Sequence, residues 1–454
     1  MTKMLPPRYL STTNACKLCK PLGACLAFRG IEGAIPFLHG SQGCATYMRR
    51  YIISHFNEPI DIASSSLGEK NAIFGGGPNL KLGLTNVTAK YKPALIGLAT
   101  TCLTETIGDD VPTILSEHRR ERGENSATDP LVVQVSTPSY SGTHMEGFHA
   151  AVLATVEQLA QGGPKADSLN LFSGFVSTAD LRYLKEVMAD FGLNATILPD
   201  YSETLDGPAL LEYQLIPQGG TPIAAIRAMG RAQATIECGA TLPAKTGGTY
   251  LAETFQVPNQ RLGLPMGIRE SDRFFAALEK LSGAPMPDKY GQTRGRLLDS
   301  LVDGHKYVFG KRAVVYGEED LVVGLTAFLV EIGVQPVLCG SGGQSGRLKE
   351  AIRAVCGDLL QDLPEIHEGV DFFEIEERAA QLRPDLLVGH SKGYALSRKA
   401  GIPLVRVGFP IHDRLGGQRI LHLGYQGAQQ LFDTIANTLI AAKQDGSDVG
   451  YSYM

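Results

Sequence analysis

The sequence predicts an α/β chain built from two or three parallel-sheet domains in series. Three observations carry this reading. From about residue 93 onward, short apolar runs of strand length alternate with segments of helical apolar spacing. At 454 residues the chain is too long for one hydrophobic core. Candidate boundaries fall near Gly162–Asp167 (GGPKAD) and in the helical stretch around Gly283–Gly310.

The elements follow in order. Pro93–Thr101 (PALIGLATT) and Leu131–Val135 are short apolar runs, suited to buried parallel strands. Glu146–Ala160 has helical spacing. Leu169–Phe172 begins a strand, Thr178–Phe191 is a helix behind an N-cap at Ser177, and Asn194–Leu198 returns to strand. Toward the C-terminus, Arg312–Tyr316, Pro336–Cys339, Asp385–Gly389 and Leu404–Val407 read as strands. Asp320–Ile332, Leu348–Val355, Gly393–Ala400 and Gly424–Lys443 read as helices. Repeated β-α-β units imply parallel sheets with right-handed crossovers. Only Glu117–Asp129 is polar enough to expect disorder.

Composition narrows the function classes. Hydrophobic residues make up 43% and charged residues 20%, as in ordinary globular proteins. The formal net charge of −5 argues against a nucleic-acid partner. No apolar run reaches the roughly 18 residues of a membrane span. The stretch Met1–Pro7 lacks the apolar core of a secretory signal, so a cytoplasmic location is expected. There, the eight cysteines are not expected to form disulfides.

Four cysteines lie in the first 44 residues. Cys16-Lys-Leu-Cys19 is a CxxC, but no second pair exists to complete a structural zinc site. Cys44 ends His39-Gly-Ser-Gln-Gly-Cys44, where glycines let the backbone approach a bulky ligand. The plain alternative is a buried cysteine in a Gly-rich turn. Cys102 follows the PALIGLATT strand, and Ser139 follows LVVQVSTP. Ligands of open parallel sheets bind beyond the carboxyl ends of strands, which is where both residues fall. Fe–S clusters want thiolates fixed in such places.

Other motifs carry less. Gly340–Gly346 (GSGGQSG) looks like a phosphate-binding turn, yet its glycine spacing departs from GxGxxG, and a plain β-α turn also fits. Gly239–Thr246 (GATLPAKT) is a near miss to a P-loop, with alanine at the second glycine position. A nucleotide-binding protein without a cluster is the alternative from another class. The ten histidines contain no HExxH. His39, His144, His390 and His412 lie near turns and read as ordinary hydrogen-bonding residues.

Taken together, several segments resemble the β-type subunits of nitrogenase component 1. They are Cys19-Lys-Pro-Leu-Gly-Ala24, Phe37-Leu-His-Gly-Ser-Gln-Gly-Cys44, Thr100-Thr-Cys102 and Ile107-Gly-Asp-Asp110. Thr137-Pro-Ser139, Gly142-Thr-His144, Ile73-Phe-Gly-Gly76 and Gly408-Phe-Pro-Ile-His-Asp-Arg414 extend the match over most of the chain. The resemblance implies three Rossmann-like domains, here 1–164, 165–305 and 306–454, the last carrying the C-terminal helix. It implies an α2β2 assembly with a homologous α-type partner.

In catalytic members the cysteines matching Cys19, Cys44 and Cys102 join three from the α-type subunit. Together they hold an eight-iron P-type cluster, [8Fe-7S], with a serine matching Ser139 beside it. An ATP-dependent Fe protein supplies electrons, and the substrate-reducing cofactor sits in the α-type partner, so no catalytic residue is expected in this chain. A second branch (NifN-type) is half of the scaffold on which nitrogenase cofactor matures. The first hundred residues are worded like that branch, and the long N-terminal extension of many reductase β subunits is absent. Many scaffold subunits, however, keep only the cysteine matching Cys44 and share a [4Fe-4S] cluster. This chain has all three cysteines and Ser139. Six thiolates suffice for eight irons and four for a cubane, so the resemblance favours the reductase subunit. Nitrogenase-like reductases that cleave carbon–sulfur bonds fit the same description. Cys25 is expected to pack in the first helix, and Cys238, Cys339 and Cys356 in the core. Cys16 takes no ligand role from the resemblance.

Overall fold

The computed structural model describes residues 16–123, 129–360 and 362–448. Their strands form three sheets in which every pairing is parallel. The first contains β1 (Ala34–His39), β2 (Ala63–Ser64), β3 (Leu95–Thr100) and β4 (Leu131–Val135), in the order β2-β1-β3-β4. The second contains β5 (Leu169–Phe172), β6 (Ala195–Ile197), β7 (Ala234–Cys238) and β8 (Asn259–Leu262), in the order β6-β5-β7-β8. The third contains β9 (Arg312–Gly317), β10 (Gln335–Ser341), β11 (Glu365–Glu368), β12 (Leu386–Gly389) and β13 (Leu404–Arg406), in the order β11-β10-β9-β12-β13. Each order reverses once, so each sheet has a topological switch point. The expected boundaries at 164/165 and 305/306 fall between the sheets, the second within the helix Asp288–Val308.

The alternating pattern starts earlier than residue 93, at β1. Pro36 hides this strand, since proline is disfavoured inside sheets. It is tolerated because β2 pairs only with Phe37 and Leu38, so ladder bonding on that flank begins after the proline. The strand β7 was also hidden. Its Thr235 and Glu237 interrupt the apolar run, yet both are buried and bonded. Asn170 Nδ2 reaches Thr235 Oγ1 at 3.1 Å, and Glu237 accepts from Thr246, Gly248, Asn259 and Arg261. Ser177 caps the helix Thr178–Asp190 through Asp180 N, as its position predicts. Of the segment expected to be disordered, Glu117–Arg122 close the helix Val111–Arg122. Residues 124–128, like Met1–Pro7, lie outside the described residues.

An aromatic cluster joins the three sheet units. Phe56 and Phe148 come from the first, Phe175 and Tyr201 from the second, and Phe409 from the third. Phe409 lies 5.4 Å from Phe175 and 4.9 Å from the His55 ring. The Gly408–Arg414 motif is thus a docking element: Ile411 N donates to His55 Nδ1 at 3.0 Å. Burial pulls His55 down to about 3, and likewise His390. An unfolded histidine titrates near 6.5. Between these values only the unfolded chain takes up the proton, so stability is complete above about pH 6.5 and falls toward pH 3. At pH 5 the loss should be about 2 kcal/mol per histidine. Chemical denaturation at pH 7 and pH 5 checks this, with His55→Gln expected to remove about half of the fall. Equal stability at the two pH values would refute it.

Candidate metal centre

The first sheet reverses its strand order between β1 and β3. Cys44 follows β1, Cys102 follows β3 and Ser139 follows the adjacent β4. All three therefore lie past the carboxyl ends of neighbouring parallel strands, with the two cysteines flanking the switch point. Cys44 is the third residue of the helix Gln42–Phe56, and Ser41 Oγ donates to its Sγ at 3.5 Å. Cys102 opens the helix Cys102–Ile107, and the Ser139 main-chain N–H donates to its Sγ at 3.1 Å.

Cys19 reaches the same edge from outside the sheet. It is the N-cap of the helix Lys20–Arg29, and it forms an antiparallel bridge with Thr143, four residues after Ser139. The bridge is possible because that helix crosses the helix His144–Leu159 with backbone against backbone. A Cβ on Gly23 would lie 1.7 Å from His144 O, and one on Gly147 would lie 1.8 Å from Lys20 O. Lys20 Nζ donates to Ser141 Oγ at 2.9 Å, tying the crossing to the Ser139 turn. Burial lowers this lysine below its ordinary range, against the pull of Glu146 and Glu105.

The eight thiols separate into two groups. Cys19 is exposed and Cys44 and Cys102 are half-buried, while the other five are buried. Burial pushes the Cys16, Cys238 and Cys339 thiols up to about 12, Cys356 to about 11 and Cys25 higher still. Those five resist becoming thiolates. Cys25 packs in the first helix as expected, and Cys238, Cys339 and Cys356 are core. Cys16 packs against the third sheet, beside His390. The accessible thiols are therefore Cys19, Cys44 and Cys102, all at helix N-termini whose dipoles complement negative charge. Among the described residues no three His, Cys, Asp or Glu side chains converge closely enough to hold a metal ion by themselves.

A buried network, not legible in the sequence, locks the cysteine loops together. His39 ends β1 and is fully buried; its Nδ1 meets Ser65 Oγ at 2.9 Å and its Nε2 meets Asp109 Oδ2 at 3.0 Å. Asp109 also accepts two bonds from Gly76 N. Thr101 N and Thr104 Oγ1 donate to His39 O at 3.1 and 3.0 Å, joining the Cys102 turn to the Cys44 turn. Ser65 is buried and is bonded to Gly40, so this is a scaffold and not a nucleophilic triad. The signal was present in two quoted motifs, HGSQGC and IGDD, but only the fold pairs them. Asp109→Ala leaves His39 Nε2 and the Gly76 N–H unpaired. It should destabilise the protein by about 2–4 kcal/mol in denaturant unfolding.

The nucleotide-like motifs are already satisfied internally. The Ala240 and Thr241 N–H groups both donate to Asp320 Oδ1 at 2.7 Å, and Lys245 pairs with Glu157. In the Gly340–Gly346 turn, Ser345 N is taken by Glu319 and Gly346 N by Glu368. Carboxylates occupy the donors that a phosphate would need, so both segments are structural turns.

The chain matches the family model for nitrogenase component 1 type oxidoreductase over residues 19–440. It is 34% identical to the nitrogenase molybdenum-iron protein beta chain of Clostridium pasteurianum over 439 residues, covering 96% of this chain and 95% of that one. It is 36% identical to the nitrogenase vanadium-iron protein beta chain of Trichormus variabilis over 441 residues, 94% of each. A solved structure described as nitrogenase Cp1 at pH 6.5 superposes with a TM-score of 0.94 at 32% identity, covering 100% of this chain and 98% of that one. With the parallel-sheet architecture and the motifs above, these matches establish that the chain belongs to the nitrogenase component 1 type oxidoreductases, as a β-type subunit.

Proposed function

We propose that this chain is the β-type half of a nitrogenase-like reductase core, with Cys19, Cys44 and Cys102 as ligands of an iron–sulfur cluster shared with a homologous α-type subunit. The observation that carries the reading is the selective accessibility of these three thiols around one switch point, against five buried ones. When bound, a P-type cluster would relay electrons from an ATP-dependent Fe protein toward a cofactor in the partner. The chain's own residues do the holding. The Ser139 N–H steadies the Cys102 sulfur, and the His39 network ties two ligand loops together.

The surface fits a partner. Tyr47, one turn beyond Cys44, and Tyr140, next to Ser139, are exposed. So are Ile73 and Phe74, on the helix Glu69–Phe74 that packs against the helix Cys102–Ile107. Apolar side chains around an incomplete ligand set are what an obligate interface leaves exposed. No helix among the described residues is long and apolar enough to cross a membrane. A cytoplasmic setting keeps the thiols reduced.

Anaerobic purification with the α-type partner tests the reading. A brown protein is expected, with iron near eight per αβ pair and ATP-dependent turnover on addition of an Fe protein. Iron near four, without turnover, would instead assign the chain to the maturation scaffold. A colourless protein would refute the cluster.

A further inference from the structure

A large cavity opens at the ends of two helices opposite the cysteines that head them, at Arg29 of the helix Lys20–Arg29 and just past the helix Gln42–Phe56. It measures about 760 Å3 and opens between Arg29, the segment Glu58–Asp61 and the loop 203–219. Its floor is set by a clamp. Thr204 Oγ1 donates to Arg29 O at 2.8 Å, Asp200 N and Thr221 N donate to Gly30 O, and Ile31 bridges Thr221. The end of the helix Lys20–Arg29 is thereby fixed, and the chain between the clamp points bulges outward. Among the described residues, no main-chain N–H of residues 207–219 donates to a main-chain carbonyl.

Arg29 is the unexplained group. Its side chain lines the cavity and is only 2% exposed, yet its Nε and Nη1 have no hydrogen-bond partner. Burial lowers it to about 10, opposed by Asp61, so it stays charged at neutral pH. A buried guanidinium without partners is unfavourable unless something supplies acceptors. The nearby carboxylates do not. Asp61 is engaged by Tyr91 and Arg49, and Glu203 by Arg182. Glu58 and Glu212 also line the cavity, and neither forms an ion pair among the described residues.

We propose that this cavity binds a small molecule bearing one carboxylate or phosphate, which sits on Arg29 while its neutral or cationic remainder faces Glu58 and Glu212. A forked donor such as guanidinium matches a planar carboxylate or a phosphate in two-point contact. The acidic wall rejects a second anionic group. None of Cys19, Cys44 and Cys102 lines the cavity.

The test uses the full-length protein, purified anaerobically with its co-purifying subunits, in calorimetric and thermal titrations. The probes are 4-aminobutyrate, butyrate, succinate and inorganic phosphate. Saturable binding is expected for 4-aminobutyrate over butyrate, with succinate weakest. Phosphate outcompeting all three would assign the phosphate arm. Arg29→Met should weaken binding about tenfold or more. It should also raise the unfolding midpoint of the ligand-free protein, because an unpaired buried charge has been removed. Glu212→Gln, on the exposed loop, should leave folding intact and tighten succinate severalfold. The proposal is overturned if none of the probes binds, as when a partner subunit covers the cavity. It is equally overturned if Arg29→Met binds like the parent, or if Glu212→Gln leaves the selectivity unchanged.

Discussion

Cys44→Ala is expected to abolish iron binding by the assembled protein. Cys19→Ala and Cys102→Ala are expected to lose the eight-iron signature while retaining part of the iron. The ordering follows from how each thiol is held. Cys44 sits on a long helix behind β1, the strand paired with β2 on one flank and β3 on the other, and the buried His39 network fixes its loop. Nothing nearby can replace it, because the other cysteine within this part of the core, Cys25, is fully buried. Cys19 comes from outside the sheet through a bridge to Thr143, and Cys102 stands at the head of a helix of only six residues. Their loss opens one side of the ligand set and leaves Cys44 for a smaller cluster. Iron content and EPR of the three variants, purified with the partner, check the ordering. Unchanged spectra in Cys19→Ala and Cys102→Ala would return the chain to the scaffold branch.

Gly23→Ala is expected to have the largest effect on stability of any single methyl addition near the site. The new carbon would lie 1.7 Å from His144 O and 2.7 Å from Phe148 N, both backbone atoms. Ordinary overpacking costs about 1–3 kcal/mol because side chains can rotate away. Here two helices must part instead, so a loss of about 4 kcal/mol or more is expected. That is a large share of the roughly 5–15 kcal/mol that holds a typical domain. Parting the helices also draws Cys19 from Thr143, so iron loading should fall even where the protein remains folded. Denaturant midpoints together with iron per αβ pair measure both effects. A Gly23→Ala protein as stable and as iron-rich as the parent would refute this account of the crossing.

The sequence by itself determined the chain's periodic architecture. The apolar run Pro93–Thr101 coincides with β3, Leu95–Thr100, which is buried along its whole length, because a strand buried on both faces needs a nearly continuous apolar sequence. The motifs likewise singled out Cys19, Cys44, Cys102 and Ser139, the last three in strand-turn-helix segments contiguous in sequence. What escaped reading was set by partners distant along the chain. β1 was masked by Pro36, tolerable only because β2 is two residues long. β7 was masked by Glu237, tolerable only because four donors from other segments surround it. The Ser65–His39–Asp109 network and the Gly23–Gly147 crossing likewise pair residues 26 to 124 positions apart. Only the tertiary structure decided that Cys16 is buried while Cys19, the other half of the same CxxC, is exposed. Burial depends on what the rest of the chain packs around each thiol, and no local pattern encodes that packing.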